Sequence, residues 1–384
     1  MSQDLGNTPG PHAVPAVHKA VVLFSGGLDS TLAAKVLKDQ DLEVTALHFS
    51  TGFCVWDHKR KMGVKDPDYK KGRTHPNPAL QAAASVGVPV EVIDVSDEYL
   101  DVVLHPKHGR GNAANPCIDC RIFMLKKAKE VASEIGAEVI ATGEVLGQRP
   151  MSQHRRALGI IEEGAGLVGR VLRPLSARHL PETFAEAEGV VDRSRLFDIS
   201  GRGRKPQHAL ADCWGISGYA QPAGGCCFLA DDTYGRRFKD YLGHHPEVQG
   251  MDLKGEVNFD RRQRILQDLW LLKVGRHIRV NERLKVIVGR HEGENDLLRG
   301  SRRDRHWLWV ASHPGPFLIL DGWAAEEGRM TEGFQLAASV AAYYSDGRTA
   351  PEVTIEYGYG EDLRESFIVP PDPASGEFVS TRFV

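Results

Sequence analysis

Residues 19–49 read KAVVLFSGGLDSTLAAKVLKDQDLEVTALHF. Ala20 to Phe24 is a short apolar run rich in β-branched residues, which favours a strand. Ser25 to Ser30 is a glycine-rich turn. Thr31 to Lys38 carries apolar residues at helical spacing, and Val44 to Phe49 is a second strand. Strand, turn, helix and strand in this order form a βαβ unit, and such a unit requires parallel strands. The alternation continues outward. Pro78 to Val86 reads as a helix, Val90 to Val95 as a strand, Arg121 to Ile135 as a long helix and Glu138 to Thr142 as a strand. The fold class expected is α/β, a doubly wound parallel sheet of Rossmann-like type.

The 384 residues suit two or three domains. A 41% hydrophobic and 26% charged composition excludes disordered, collagenous and disulfide-dense classes. No apolar run approaches bilayer length, so no membrane partner is expected. Residues 1–18 lack a basic start and an apolar run; they read as a flexible leader, and a cytoplasmic protein is expected. Net charge is -3, but it is unevenly spread. Residues 149–205 hold eleven Lys and Arg against seven Asp and Glu, 254–305 fourteen against eight, and 306–384 four against twelve. A local basic stripe binds RNA in a chain near neutrality as well as in a basic one.

In Ser25-Gly26-Gly27-Leu28-Asp29-Ser30, two glycines let the backbone turn tightly and aim successive N–H groups at one point, where the helix N-terminus adds positive charge. The nest suits pyrophosphate. Ser25 and Ser30 supply hydroxyls, and Asp29 either caps the helix or approaches Mg²⁺. The plain alternative is a capped turn without a ligand. The string resembles the PP-loop of the ATP pyrophosphatase superfamily, with an adenine nucleotide α-hydrolase-like fold. That resemblance implies ATP cleavage between the α and β phosphates and an adenylated substrate. Thr142 and Gly143, ending a strand at the switch-point edge, are expected to join Ser25, Gly26, Gly27, Asp29 and Ser30 in binding ATP.

The six cysteines are Cys54, Cys117, Cys120, Cys213, Cys226 and Cys227. Cys117 and Cys120, in NPCIDC, sit at the start of a helix, which favours the thiolate. Gly224-Gly225-Cys226-Cys227 lies about a hundred residues on. Three thiols at an ATP site support a [4Fe-4S] cluster or a persulfide carrier with a resolving thiol; structural Zn²⁺ and inert buried thiols are the alternatives. Cys54 and Cys213 read as structural. The strings NPCIDCRIFMLKKA (115–128), ATGEVLGQRPMSQ (141–153), RPLSARHLPET (173–183), SGRGRKPQ (200–207) and PAGGCC (222–227) together resemble the thiouridylase-like, MnmA-like branch of that superfamily, over residues 20–242. The resemblance implies Cys117, Cys120 and Cys226 as the catalytic set with Asp29, or as cluster ligands, with Cys227 as the alternative third thiol.

The basic stretch includes Gln148, Arg149, Ser152, Arg173, Ser176, Arg202 and Arg204, which fall inside those strings. Guanidinium groups bind phosphate bidentately, so these residues are expected to contact ATP or an RNA substrate; a solvated face of ion pairs is the plain reading. Farther on, VGRHEGENDLL (288–298), RHWLW (305–309), HPG (313–315) and AASVAAYYS (337–345) resemble the RNA-binding domain of NFACT proteins. Trp307 and Trp309 would stack bases or pack in a core.

The expected organisation is a leader at 1–18, a PP-loop domain at 19–150, a loop-rich basic extension at 151–250, a linker helix at 251–277 and a smaller C-terminal α+β domain at 278–384. The expected function is ATP-dependent tRNA sulfur insertion, with ATP, Mg²⁺ and a [4Fe-4S] cluster as candidate cofactors. The expected partners are tRNA and a sulfur donor protein or sulfide. An enzyme adenylating a small molecule and an RNA-binding quality-control factor are the rivals.

Overall fold

The computed structural model describes residues 17–54, 78–219, 227–251, 259–322, 332–372 and 375–384. Cys226, most of the leader and residues 252–258 of the expected linker lie outside these. The chain divides into two compact units, each assembled from three segments. Unit one is 1–48, 78–92 and 124–221; unit two is 49–77, 93–123 and 222–384.

The elements run β1 (Lys19–Leu23), α1 (Leu28–Lys38), β2 (Glu43–Ser50), α2 (Pro78–Val86), β3 (Val90–Asp94), α3 (Ser96–Leu104), α4 (Cys117–Ile135), β4 (Val139–Thr142), α5 (Arg155–Ala165), β5 (Val171–Leu172) and α6 (Lys205–Cys213). The five strands form one parallel sheet in the order β3-β2-β1-β4-β5. The order reverses beside β1, so the crevice where ligands bind in such sheets lies between the carboxyl ends of β1 and β4. Both strands are buried almost throughout, as expected of a sheet covered on two faces. Val22, Leu32, Val36, Ala141 and Leu175 belong to the core of unit one. Helix α1 starts at Leu28, three residues before the expected Thr31.

Unit two continues with α7 (Asp232–His244), α8 (Phe259–Leu271), β6 (Arg276–Arg279), β7 (Lys285–Val288), α9 (Glu292–Gly300), β8 (His306–Val310), β9 (Phe317–Asp321), α10 (Glu332–Tyr343), β10 (Val353–Tyr359), β11 (Asp362–Val369) and α11 (Ser375–Thr381). Its six strands form an antiparallel sheet ordered β11-β10-β8-β9-β7-β6. Alternate residues serve two layers. Val286, Leu308, Leu318 and Ile355 pack with Ala338, Val340 and Ala341 of α10. Ile287, Trp307 and Ile319 face the other way, toward Leu271 and Leu298.

Trp307 is therefore core. It stacks on Phe317 at 5.4 Å, and its indole N–H donates to Gly360 O at 3.0 Å. A Cβ at Gly358 would come within 2.0 Å of the indole, which is why a strand position there is glycine. Trp309 is half-buried beneath the Arg299 guanidinium, 4.8 Å from its ring.

Candidate active site: a phosphate nest and a thiol pocket

In unit one the chain leaves β1 and turns at Gly26, whose φ of +74° belongs to the left-handed region that glycine occupies freely. Gly27 is the residue that caps α1, with extended φ and ψ of -83° and 163° and no side-chain cap. Of the two roles open to Asp29, capping the helix is ruled out: Asp29 lies inside the first turn. First-turn N–H groups have no partner within a helix, and here they carry the positive end of the dipole. The Ser30 and Thr31 hydroxyls donate to Gly27 O at 2.9 and 3.0 Å and brace the turn. Ser25 Oγ stands 3.3 Å from Ser30 Oγ.

Gly143, just past β4, explains how the crevice closes around this turn. A Cβ there would meet Ser30 N at 2.5 Å and the Asp29 carbonyl atoms at 2.6 Å. The bare backbone lets the two chain segments touch. Thr142 Oγ1 donates to Glu144 Oε2 at 3.2 Å.

Asp29 Oδ2 accepts from Gln148 Nε2 at 2.8 Å and from Arg204 Nη2 at 3.2 Å. Gln207, fully buried, donates to Gln148 Oε1 at 3.3 Å. The same cluster holds buried atoms without a hydrogen-bond partner: Asp29 Oδ1, Gln207 Oε1 and Arg204 Nε. Buried polar groups are ordinarily satisfied. Several orphans beside a nest of N–H groups are the mark of a site built for a polar ligand. The residues therefore fit a nucleotide triphosphate, with Asp29 Oδ1 as the available oxygen for Mg²⁺.

Other expected contact residues have different surroundings. Arg173 is buried and held by Glu144 (Nε to Oε2, 3.2 Å) and Glu162. Ser176, with no exposed surface, accepts from Leu146 N at 2.9 Å and donates to Ile199 O at 2.6 Å. Both brace the loop that follows β4. Ser152 is also buried, whereas Arg149 and Arg202 are exposed.

In unit two, Pro116 precedes α4 and accepts from Cys120 N at 2.8 Å, so Cys117 and Cys120 stand in the first helical turn. Asn115 Nδ2 donates to Cys117 Sγ at 3.0 Å. Asp119 accepts from the backbone N and from Nδ1 of His108, each at 2.9 Å, which ties down the approach to the helix. Cys227 comes from a segment about a hundred residues farther on, paired with Cys54 across an antiparallel bridge.

The thiols converge on Tyr99. This phenol is buried among Phe53 and Phe123, at 6.1 and 5.7 Å between rings. Burial pushes its pKa well above the ordinary value. The neighbouring Cys120 and Cys227, a hydrogen bond with Cys120, and Cys117 push it the same way. Tyr234 is likewise raised, by burial first and then by Cys227. Cys213, read as structural from sequence, is exposed at the end of α6.

The expected cluster ligands were Cys117, Cys120 and Cys226, with Cys227 as alternative. Among the described residues no group of three or more His, Cys, Asp or Glu side chains stands close enough to hold a metal ion. Cys117, Cys120 and Cys227 thus do not form a ligand set, and Cys226 lies outside the described residues. Sequence reading passed over Tyr99 and Lys273. Lys273 is buried, donates to Gly52 O, and places its ammonium 4.9 Å from the Phe53 ring and 5.4 Å from the Phe228 ring. A lysine inside an apolar helix end, in WLLKV (270–274), was the available signal.

A glycine-rich nest at the switch point of a 3-2-1-4-5 parallel sheet defines a nucleotide-binding domain of the HUP class. Family models agree: residues 18–159 match the tRNA methyl transferase HUP domain, and 275–377 match the NFACT protein RNA binding domain. A tRNA-specific 2-thiouridylase MnmA of Geobacter metallireducens is 30% identical over 320 residues, covering 79% of this chain and 71% of that protein. The chain belongs to the MnmA family of tRNA-specific 2-thiouridylases. The Acidithiobacillus ferrooxidans member is 27% identical over 248 residues, and the match spans only 62% of its length. A solved structure described as a predicted subunit of tRNA methyltransferase from Methanocaldococcus jannaschii is 17% identical, with a TM-score of 0.30, covering 51% of this chain and 76% of that one. Among the described residues, no helix is long and apolar enough to cross a membrane.

Proposed function

We propose that this protein is an ATP-dependent tRNA sulfurtransferase that makes thiouridine. The observation that carries the reading is the thiol pocket: Cys120 and Cys227, from distant segments, pack against the buried cluster that contains Tyr99, and Cys117 opens the same helix as Cys120. A structural role does not call for three thiols around Tyr99 in a chain that also builds a phosphate nest.

In the first step the Gly26–Ser30 turn binds the triphosphate through backbone N–H groups, with Ser25 and Ser30 as hydroxyl donors. Asp29 would hold Mg²⁺ through Oδ1, and the ion would neutralise phosphate charge. The uridine carbonyl oxygen attacks the α-phosphorus. The bond to the bridging oxygen breaks and pyrophosphate leaves with the electron pair. The base is then an adenylated, electrophilic carbon. Arg149 and Arg202, exposed cations of unit one that neighbour Gln148 and Arg204 in sequence, are the candidates for RNA phosphate.

In the second step the outer sulfur of a Cys227 persulfide attacks that carbon and AMP leaves; a thiolate of Cys117 or Cys120 then attacks Cys227 Sγ, the Sγ–S bond breaks with its electron pair going to the sulfur left on the base, and a disulfide forms. Asn115 donates a hydrogen bond to Cys117 and so favours its thiolate. The C-terminal domain, on this reading, docks RNA through its exposed basic residues rather than through Trp307.

The test uses the purified full chain with bulk tRNA, ATP and a sulfane donor. Wild type is expected to exchange pyrophosphate into ATP and to incorporate labelled sulfur into tRNA. Cys227→Ser and Cys117→Ser should lose sulfur incorporation and keep the exchange, while Asp29→Asn should lose both. Sulfur incorporation that survives Cys227→Ser would overturn the assignment. Exchange that responds to a small carboxylate but not to tRNA would favour the small-molecule rival.

A further inference from the structure

Gln207 has no part in the chemistry above, yet it is an amide with no exposed surface. It stands in the first turn of α6, far along the chain from Asp29. Helix α6 is fixed to α1 in two places. Ala211 shares the core of unit one with Leu28 and Leu32, and the Lys35 ammonium lies over the Trp214 ring at 5.7 Å. A buried side chain on a helix so anchored is held in one rotamer by close packing.

The hydrogen bonds from Gln207 to Asp29 run one way. An ionised carboxylate only accepts, whereas an amide has one accepting oxygen and one donating nitrogen. Asp29 Oδ2 therefore takes the Gln148 amino group, at 2.8 Å. That turns Gln148 Oε1 away from Asp29, and this oxygen accepts from Gln207 Nε2 at 3.3 Å. Turning over either amide alone sets like groups face to face. The order is thus dictated by the carboxylate at its end, and Gln207 Oε1 is left over without a hydrogen-bond partner. Arg204, the residue before α6, adds a second donor to Asp29 Oδ2 at 3.2 Å. Both donors reach the same oxygen, so the carboxylate is held by one edge and Oδ1 is kept free.

We propose that Gln207 is a positioning residue for the metal-holding carboxylate: through Gln148 it orients Asp29 and keeps Oδ1 available to the cation of the bound nucleotide. This rests on the reading of Asp29 as the Mg²⁺ residue. Mg²⁺ demands near-ideal octahedral geometry, so a misplaced oxygen binds it poorly. Groups that orient a ligating side chain are worth about 10–100-fold in metal affinity. In this role Gln207 touches neither nucleotide nor metal.

The experiment measures binding of α,β-methylene-ATP, which cannot be cleaved between the α and β phosphates, to the full chain by calorimetry. Each variant is titrated in saturating Mg²⁺ and again in EDTA, and the ratio of the two affinities is the readout. Wild type should bind more tightly with Mg²⁺. Gln207→Leu keeps the bulk and removes the amide. Its ratio should fall about tenfold, while affinity in EDTA and the thermal transition stay at wild-type values. Gln207→Glu sets an acceptor against Gln148 Oε1 and turns that amide over, so its ratio should fall at least as far. A Gln207→Leu chain with an undiminished ratio overturns the proposal. So does one that loses affinity equally with and without Mg²⁺, the pattern of a merely structural residue. Asp29→Asn separates the proposal from the reading beneath it. A lost ratio there keeps Asp29 as the metal residue whatever Gln207 does. An undiminished one, or a wild-type chain indifferent to Mg²⁺, overturns that reading and this proposal together.

Discussion

The phosphate nest of unit one and the thiol pocket of unit two are built from opposite materials. The nest is made of backbone. Its shape depends on Gly26 in the left-handed region, on Gly27 at the helix start, and on Gly143 lying against the Asp29–Ser30 peptide. The pocket is made of side chains: Tyr99, Phe53, Phe123, Phe228, Tyr234 and the ammonium of Lys273 hold three thiols in register. A backbone site is contiguous in sequence and intolerant of added atoms. A side-chain site is scattered, and it tolerates exchange of shape so long as burial and pairing persist.

Four measurements press on that contrast. The largest effect is expected from Gly143→Ala. The added methyl meets backbone that has no room to move, so the nest is displaced, and ATP–pyrophosphate exchange should fall about 100-fold or more. An exchange rate near wild type would show that the nest yields as a side-chain site does. Next is Lys273→Met, which keeps the stem and removes the charge. It forfeits a buried hydrogen bond and two ring contacts, and urea unfolding should show a loss of about 2–3 kcal/mol. ATP–pyrophosphate exchange measured below the unfolding transition should stay unchanged.

A third test is the acid limb of stability. His277 is fully buried, and burial followed by the charges of Arg237 and Lys285 holds its pKa well below the usual histidine value. Its folded pKa is depressed, so the unfolded chain takes up the proton first. Its contribution is present above pH ~6.5 and is lost as pH falls below, by about 1.4 kcal/mol per unit. Unfolding free energy measured from pH 7 to 5 should carry this slope and lose it in His277→Gln. The smallest effect is that of Cys213→Ser, an exposed thiol at a helix end; unfolding free energy should match wild type within about 0.5 kcal/mol.

The contrast also explains what sequence could reveal. SGGLDS was legible because a turn, its glycines and the following helix lie within a dozen residues. The doubly wound sheet followed from that string and from the next alternating segments. Gly143 was legible as a strand end, but the contact that demands glycine involves residues more than a hundred positions away. Arg173 and Arg204 look alike in a basic stretch; only the fold shows that one sits between two carboxylates while the other pairs with Asp29. Trp307 and Trp309 share one face of β8 and both pack on Phe317, and only the fold shows that the first is buried and the second half-buried. The Cys54–Cys227 pairing was invisible, because antiparallel register between segments 173 positions apart leaves no mark in either.

The division of the chain into interleaved segments has a consequence for its birth. The polypeptide passes from one unit to the other after residues 48, 77, 92, 123 and 221. No single truncation isolates either unit, and neither can close until distant segments have been made. At ribosomal rates of about 5–20 residues per second, the first strand waits roughly 10–45 s for the last segment of its unit. During that interval apolar strands of a parallel sheet stand unsatisfied. The nascent chain is thus a natural client for holding chaperones, and split or circularly permuted versions would have to respect five junctions at once.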